Sequence, residues 1–176
     1  PISLARGAYW LGASYEKLNE NDLSNKYYTE AAEFPMTYYG QLAFNKINPG
    51  GNFELKDQSF FDKDYEKEFK KNKLIRHLIL LKELNATQLG KDIFKHLADL
   101  NIDKGSEVLA AELATNLERY DFAIQISKKA SYEKRFYNTY NYPIINTPKI
   151  INNKTMPKQE IVLAIIRQES EFDKSA

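Results

Sequence analysis

YEKLNENDLSNKYYTEAAEF (residues 15–34), LLKELNATQLGKDIFKHLADL (80–100) and LATNLERYDFAIQISKKASY (113–132) are three versions of one pattern. Each runs from the end of one apolar-periodic stretch, through a short polar break, into another. Their shared leucines, Leu18, Leu84 and Leu117, lie 66 and 33 positions apart, one interval twice the other. A period near ~34 residues is that of tetratricopeptide-like helix pairs, in which no pair buries its apolar side alone and neighbours must stack. The first unit also carries the small and aromatic positions such pairs need. Leu11, Gly12 and Tyr15 are followed by Tyr28, Ala31 and Pro35. Gly12 and Ala31 are expected to let two helices approach closely, with Tyr15 and Tyr28 filling the space beside them.

Outward from these units the spacing stays helical. Leu74, Leu78 and Leu81 form one face, as do Leu89, Ile93, Phe94, Leu97 and Leu100. Leu109, Leu113 and Leu117 form a third, and Phe122, Ala123, Ile126 and Ala130 a fourth. Glycine (7) and proline (6) are sparse, and no useful run alternates apolar with polar residues. The fold class is therefore expected to be all-α, a superhelical stack of helix pairs. Pro49-Gly50-Gly51 marks a loop from 47 to 61. Beyond Tyr132 the texture changes to a proline- and asparagine-rich connector whose tyrosines and isoleucines predict that it lies against a surface. A new helix starts near Pro157, a residue tolerated in a first turn. The expected organisation is 1–131 repeat domain, 132–156 connector and 157–176 the start of a second domain.

Composition excludes several function classes. With 25 basic and 24 acidic residues the net charge is +1, without the basic excess that a nucleic-acid surface requires. The alternating run from Asp62 to Glu68 reads as a solvated face. There is no cysteine, so disulfides and thiolate chemistry are excluded. No apolar stretch approaches the ~20 residues that cross a bilayer. His77 and His96 lack a second ligand at metal-binding spacing, so no metal and no cofactor is expected. Tyr27, Tyr28, Tyr38, Tyr39 and Trp10 are sugar-stacking candidates, but most are expected in the core.

The chemistry-bearing stretch is LAIIRQESEFDKSA, residues 163–176. Val162, Ile165, Ile166 and Glu169 stand at i, i+3, i+4 and i+7, so Glu169 extends an apolar stripe. A carboxyl against apolar side chains loses hydration, which favours its protonated form and suits it to general acid work. Spacing alone favours a plainer reading, a glutamate at a frayed helix end, exposed or paired with Arg167 or Lys174.

This stretch resembles the opening motif of the catalytic domain in the soluble lytic transglycosylases of bacterial cell-wall turnover. Arg167, Gln168, Glu169, Ser170, Phe172 and Asp173 carry the match. Residues 5–18 (ARGAYWLGASYEKL) and 37–43 (TYYGQLA) resemble helices of that family's superhelical region. Residues 140–150 (YNYPIINTPKI) resemble its Tyr-Pro connector. The resemblance implies a lysozyme-like domain beginning near Pro157, with Glu169 as its catalytic residue and peptidoglycan glycan strands as its partner. It implies cleavage of the β-1,4 bond between N-acetylmuramic acid and N-acetylglucosamine, closing a 1,6-anhydro ring, and a periplasmic location.

Departures stand against the match. Lys174 occupies a position where many relatives carry proline. The family's Gly-Leu-Met-Gln segment, its later cleft tyrosine and the serine several residues after the glutamate are not among these residues, Ser175 being too near. The chain is accordingly expected to hold the superhelix, the connector and only the first helix of the catalytic domain, and to be inactive alone. A helical pattern already under way by Ala5, without a signal peptide, is read the same way, as a start inside a longer protein. The rival expectation is a helical-repeat interaction module without catalysis.

Overall fold

The computed structural model describes residues 1–55, 57, 60–148, 150–151, 154–155 and 157–173. Their regular structure is helical, apart from one two-residue antiparallel pair, so the all-α class read from periodicity is the class observed. Among the described residues, no helix is long and apolar enough to cross a membrane. The chain divides into two compact units, Pro1–Lys56 and Asp57–Ala176. The division falls in the loop that Pro49-Gly50-Gly51 announces.

The first unit holds α1 (Ile2–Lys17), α2 (Asn21–Ala32) and α3 (Tyr38–Ile47), each packed against the other two. Ala8, Tyr28, Ala31 and Ala43 form its core, with Tyr9, Ala13, Ala32 and Ile47 packed around them. Small residues bring the backbones close, as their spacing predicts. At Gly12 a Cβ would lie 2.8 Å from Tyr28 Cδ1, and Ser24 Oγ donates to the Gly12 carbonyl at 3.0 Å. Tyr28 therefore fills the gap that Gly12 leaves, and its hydroxyl donates to Glu16 Oε2 at 2.7 Å. That hydrogen bond, with the Lys46 ammonium 3.0 Å away, holds the Glu16 carboxyl below its ordinary range. Thr37 caps α3, its hydroxyl accepting from the Gly40 N–H at 3.0 Å.

Gly12→Ala tests this packing, because two effects oppose each other. Alanine in a helix interior gains about 1 kcal/mol over glycine. Overpacking a filled site costs about 1–3 kcal/mol, and Tyr28 is only 3% exposed and anchored at its far end, so it has little room to yield. Gly12→Ala is expected to destabilise by about 1 kcal/mol net, read by chemical denaturation. Gly7→Ala on the same helix, where a Cβ meets nothing within 4 Å, should stabilise instead. Equal shifts for the two would remove the close approach from the account.

The second unit holds α4 (Lys63–Lys70), α5 (Lys73–Glu83), α6 (Lys91–Asp99), α7 (Ser106–Asn116), α8 (Tyr120–Tyr132) and α9 (Asn138–Asn141). Strands β1 (Ile150–Ile151) and β2 (Lys154–Thr155) then pair, and α10 (Gln159–Glu169) follows. Asp62 caps α4 by accepting from the Tyr65 and Asp64 N–H groups, which hold its carboxyl below the ordinary range. The charge run is a solvated face as read, yet it hides two anchors: Tyr65 and Phe69, one turn apart, are buried. α7 packs against α4, α6, α8 and α9 and is buried nearly all round, including Ser106 and Glu107.

The repeated leucines mark a helix end more than a core position. Leu18, Leu84 and Leu117 are the C-terminal caps of α1, α5 and α7. Each is followed by a left-handed residue, Asn19, Asn85 or Glu118, with φ of 61°, 53° and 60°. The next N–H then returns to a carbonyl five residues back: Glu20 to Tyr15, Ala86 to Leu81, Arg119 to Ala114, at 3.0, 2.8 and 2.8 Å. This closing hydrogen bond defines the Schellman ending. α8 ends the same way through Lys134 and Arg135. Leu18 and Leu84 are 67% and 65% exposed, whereas Leu117 is buried, so what recurs is the backbone turn.

Of the connector's described residues, only the stretch around α9 is packed into the second unit; Ile144, expected to lie against a surface, is 87% exposed. Tyr137, Asn138, Asn141 and Pro143 are buried. The Asp57 carboxylate accepts from the Asn138 and Thr139 N–H groups at 3.1 and 3.2 Å, tying the start of the unit to α9.

Candidate functional site

The Arg-Gln-Glu-Ser motif sits where α10 ends. The helix runs from Gln159, after the extended Lys158, and closes at Glu169, with Ser170 Oγ donating back to the Ile166 carbonyl at 3.2 Å. Val162 and Ile166 are half-buried, while Ile165 is 56% exposed and Glu169 is exposed. The apolar stripe exists, but the described residues cover it only in part. Glu169 is exposed at the helix end, as the plainer reading of its spacing expects, and the desolvated setting that general acid work needs is not formed among the described residues.

Among the described residues, the charged side chains beside Glu169 on the motif, Arg167 and Glu171, are both engaged. Arg167 Nε donates to the Asn141 carbonyl at 2.9 Å, and Nη2 donates to Asn141 Oδ1 at 2.7 Å. Its guanidinium also lies 5.5 Å from the Tyr142 ring centroid. Burial pushes the Tyr142 hydroxyl above its ordinary pKa, with the positive Arg167 opposing. Glu171 Oε1 accepts from Lys128 Nζ on α8 at 2.8 Å and lies 3.6 Å from Arg167 Nη1. Among the described residues the Glu169 carboxylate has no such partner, so of these groups it alone is open to an incoming proton donor or acceptor.

Past the helix the backbone turns sharply. Glu171 and Phe172 both adopt left-handed φ, 50° and 64°. The turn seats Phe172, which is 8% exposed, with its ring 6.2 Å from that of Tyr120. Phe172 and Asp173 line a polar cavity of about 220 Å³ together with Thr87, Arg119 and Asp121. There Arg119 Nε donates to Asp121 Oδ1 at 2.8 Å and Nη1 donates to Thr87 Oγ1 at 3.3 Å. Asp173 lies beyond the helix end, as its position predicts.

The remaining candidates fall elsewhere. His77 Nδ1 lies 2.9 Å from the Lys73 carbonyl on its own helix. No group of three potential metal ligands is found among the described residues. Of the aromatic candidates, Tyr28 is core, and Tyr27 and Tyr39 are half-buried. Trp10 and Tyr38 correct the expectation of a mostly buried set, being 56% and 70% exposed. They belong to a chain of ring contacts through Tyr9 and Tyr39, with centroids 5.3–6.3 Å apart. Ring-on-ring contact holds them without burying their outer faces. Lys174 is outside the described residues.

Sequence reading missed Lys128, Asn141 and Tyr142 as partners of the motif. Asn141 and Tyr142 lie inside the Tyr-Pro connector stretch, but no spacing rule links them to Arg167. Beyond the chain itself, no protein-family model matches it, no curated protein is similar to it, and no solved structure matches its fold.

Proposed function

We propose that this chain is part of a peptidoglycan lytic transglycosylase: a superhelical, tetratricopeptide-like repeat region leading through the connector into the first helix of a lysozyme-like catalytic domain. The reading rests on one observation. In the stretch Arg167-Gln168-Glu169-Ser170, which carries the resemblance, Arg167 and the nearby Glu171 are spent on anchoring contacts, and Glu169 presents a carboxylate at a helix end that nothing among the described residues engages. In this reaction Glu169, protonated, gives its proton to the leaving glycosidic oxygen. As carboxylate it then takes the proton of the muramoyl C6 hydroxyl, which closes the 1,6-anhydro ring without water. One group serves both halves, in contrast to the two-carboxylate scheme of ordinary glycosidases. No cofactor enters, and the substrate places the protein in the periplasm.

The assay is chromatography of anhydromuropeptides released from purified peptidoglycan. A chain carrying the complete catalytic domain is expected to release them. Residues 1–176 alone are expected to release none, because acid catalysis needs a held substrate and a water-excluded carboxyl, and Glu169 is exposed. Turnover by residues 1–176 would contradict this account of the cleft. No turnover by the longer chain would leave the non-catalytic interaction module as the better reading.

A further inference from the structure

α10 has no fully buried residue, Val162 and Ile166 are half-buried, and Ile161 and Ile165 are 52% and 56% exposed, so apolar packing alone does not hold it. Polar contacts hold it too, and they bracket Glu169 in sequence. On one side Arg167 forks onto the carbonyl and Oδ1 of Asn141, a residue only 3% exposed and fixed in the second unit. On the other side Glu171 is held by Lys128 of α8, and Phe172 is seated near Tyr120. The two consecutive left-handed residues at 171 and 172 belong to the same device. Such backbone persists in non-glycine residues only where the surroundings over-determine it, and here the ion pair and the seated ring do so.

We propose that Arg167 and Glu171 are positioning residues, a two-sided clamp that sets the direction of Glu169 relative to α8 and the connector. The proposal rests on the reading of Glu169 as the acid–base group. Arg167 is the stronger arm, because its planar fork meets two oxygens of one residue and lysine cannot reproduce that geometry. Glu171 is the weaker arm, since Lys128 is a flexible, partly exposed partner. Neither Arg167 nor Glu171 is itself a core residue, so losing either side chain frees α10 and leaves α4–α8 folded.

Two measurements test this. Amide hydrogen exchange on residues 1–176 reads the clamp without any activity: Arg167→Met is expected to speed exchange in α10 at least tenfold, with α7 and α8 unchanged. In a chain carrying the complete catalytic domain, Arg167→Met is expected to lower kcat by about 10–100-fold with KM within about twofold, as misplacement of a catalytic group does. Lys128→Met should cost a few-fold, and Lys128→Arg should restore the parental rate. Unchanged α10 exchange in Arg167→Met overturns the clamp. So does a parental kcat for Arg167→Met where Glu169→Gln is inactive, and the reading of Glu169 then still stands. A parental rate for Glu169→Gln overturns that reading instead, whatever the exchange shows.

Discussion

Glu169→Gln, in a chain carrying the complete catalytic domain, is expected to lower anhydromuropeptide release by at least about 10²–10⁴-fold, the usual worth of general acid–base assistance. The substitution keeps size and much of the hydrogen-bonding capacity and removes only the titratable proton. Glu169 is exposed, and its carboxylate has no partner among the described residues, so folding is expected to change by less than about 0.5 kcal/mol. Under the proposed function, binding to peptidoglycan should be largely retained, since the substitution changes one side chain and keeps its size. Glu171→Gln in the same background should cost only a few-fold, because Glu171 already spends its carboxylate on Lys128 and Arg167. An inactive Glu171→Gln beside a near-parental Glu169→Gln would move the chemistry to the other carboxylate.

Arg135→Met is expected to destabilise the second unit by about 3 kcal/mol. Glu107, in the first turn of α7, is 1% exposed. Its Oε2 accepts from Arg135 Nε at 2.9 Å and from the Tyr137 hydroxyl at 3.2 Å, and its Oε1 accepts from Arg135 Nη2 at 3.0 Å. The hydrogen bond to Glu107 raises the Arg135 pKa above its ordinary value. Burial first, and Glu107 second, push the Tyr137 hydroxyl up to about 12. Removing the guanidinium strands a buried carboxylate, and breaking a buried pair typically costs about 3–5 kcal/mol. The lower end applies because the Arg135 side chain is 31% exposed and shares Nη2 with the surface residue Glu133. Replacing both partners, Glu107→Leu with Arg135→Met, should recover much of the loss, since no charge is then left buried. Denaturant melts of the two singles and the double close the cycle. A double variant as unstable as the sum of the singles would mean that the pair is not coupled.

Both sites bear on how far the sequence reaches. Helix class, the loop at Pro49-Gly50-Gly51 and the helix beginning near Pro157 follow from residue spacing and breaker residues, which act within a few positions of themselves. The recurrence of Leu18, Leu84 and Leu117 was legible for the same reason. A Schellman ending is made by six consecutive residues, and its signal is local. The Arg167–Asp173 motif could likewise be read directly, together with Glu169 as its carboxylate of interest.

Tertiary structure decided what each side chain faces. The i, i+4, i+8 stripe of Leu109, Leu113 and Leu117 describes one side of α7, but that helix is surrounded by α4, α6, α8 and α9. Glu107, a residue type that reads as surface in a sequence 28% charged, is therefore in the interior and needs Arg135, 28 positions away. The spacing of Val162, Ile165, Ile166 and Glu169 places them on one face of α10, yet whether that face is covered depends on what packs there, and the described residues leave it half covered, with Ile165 and Glu169 exposed. Arg167 meets Asn141 and Glu171 meets Lys128 across 26 and 43 positions of chain. Helical periodicity reports which residues share a face. The partner of that face is chosen by chain segments far apart in sequence, which only the folded chain brings together.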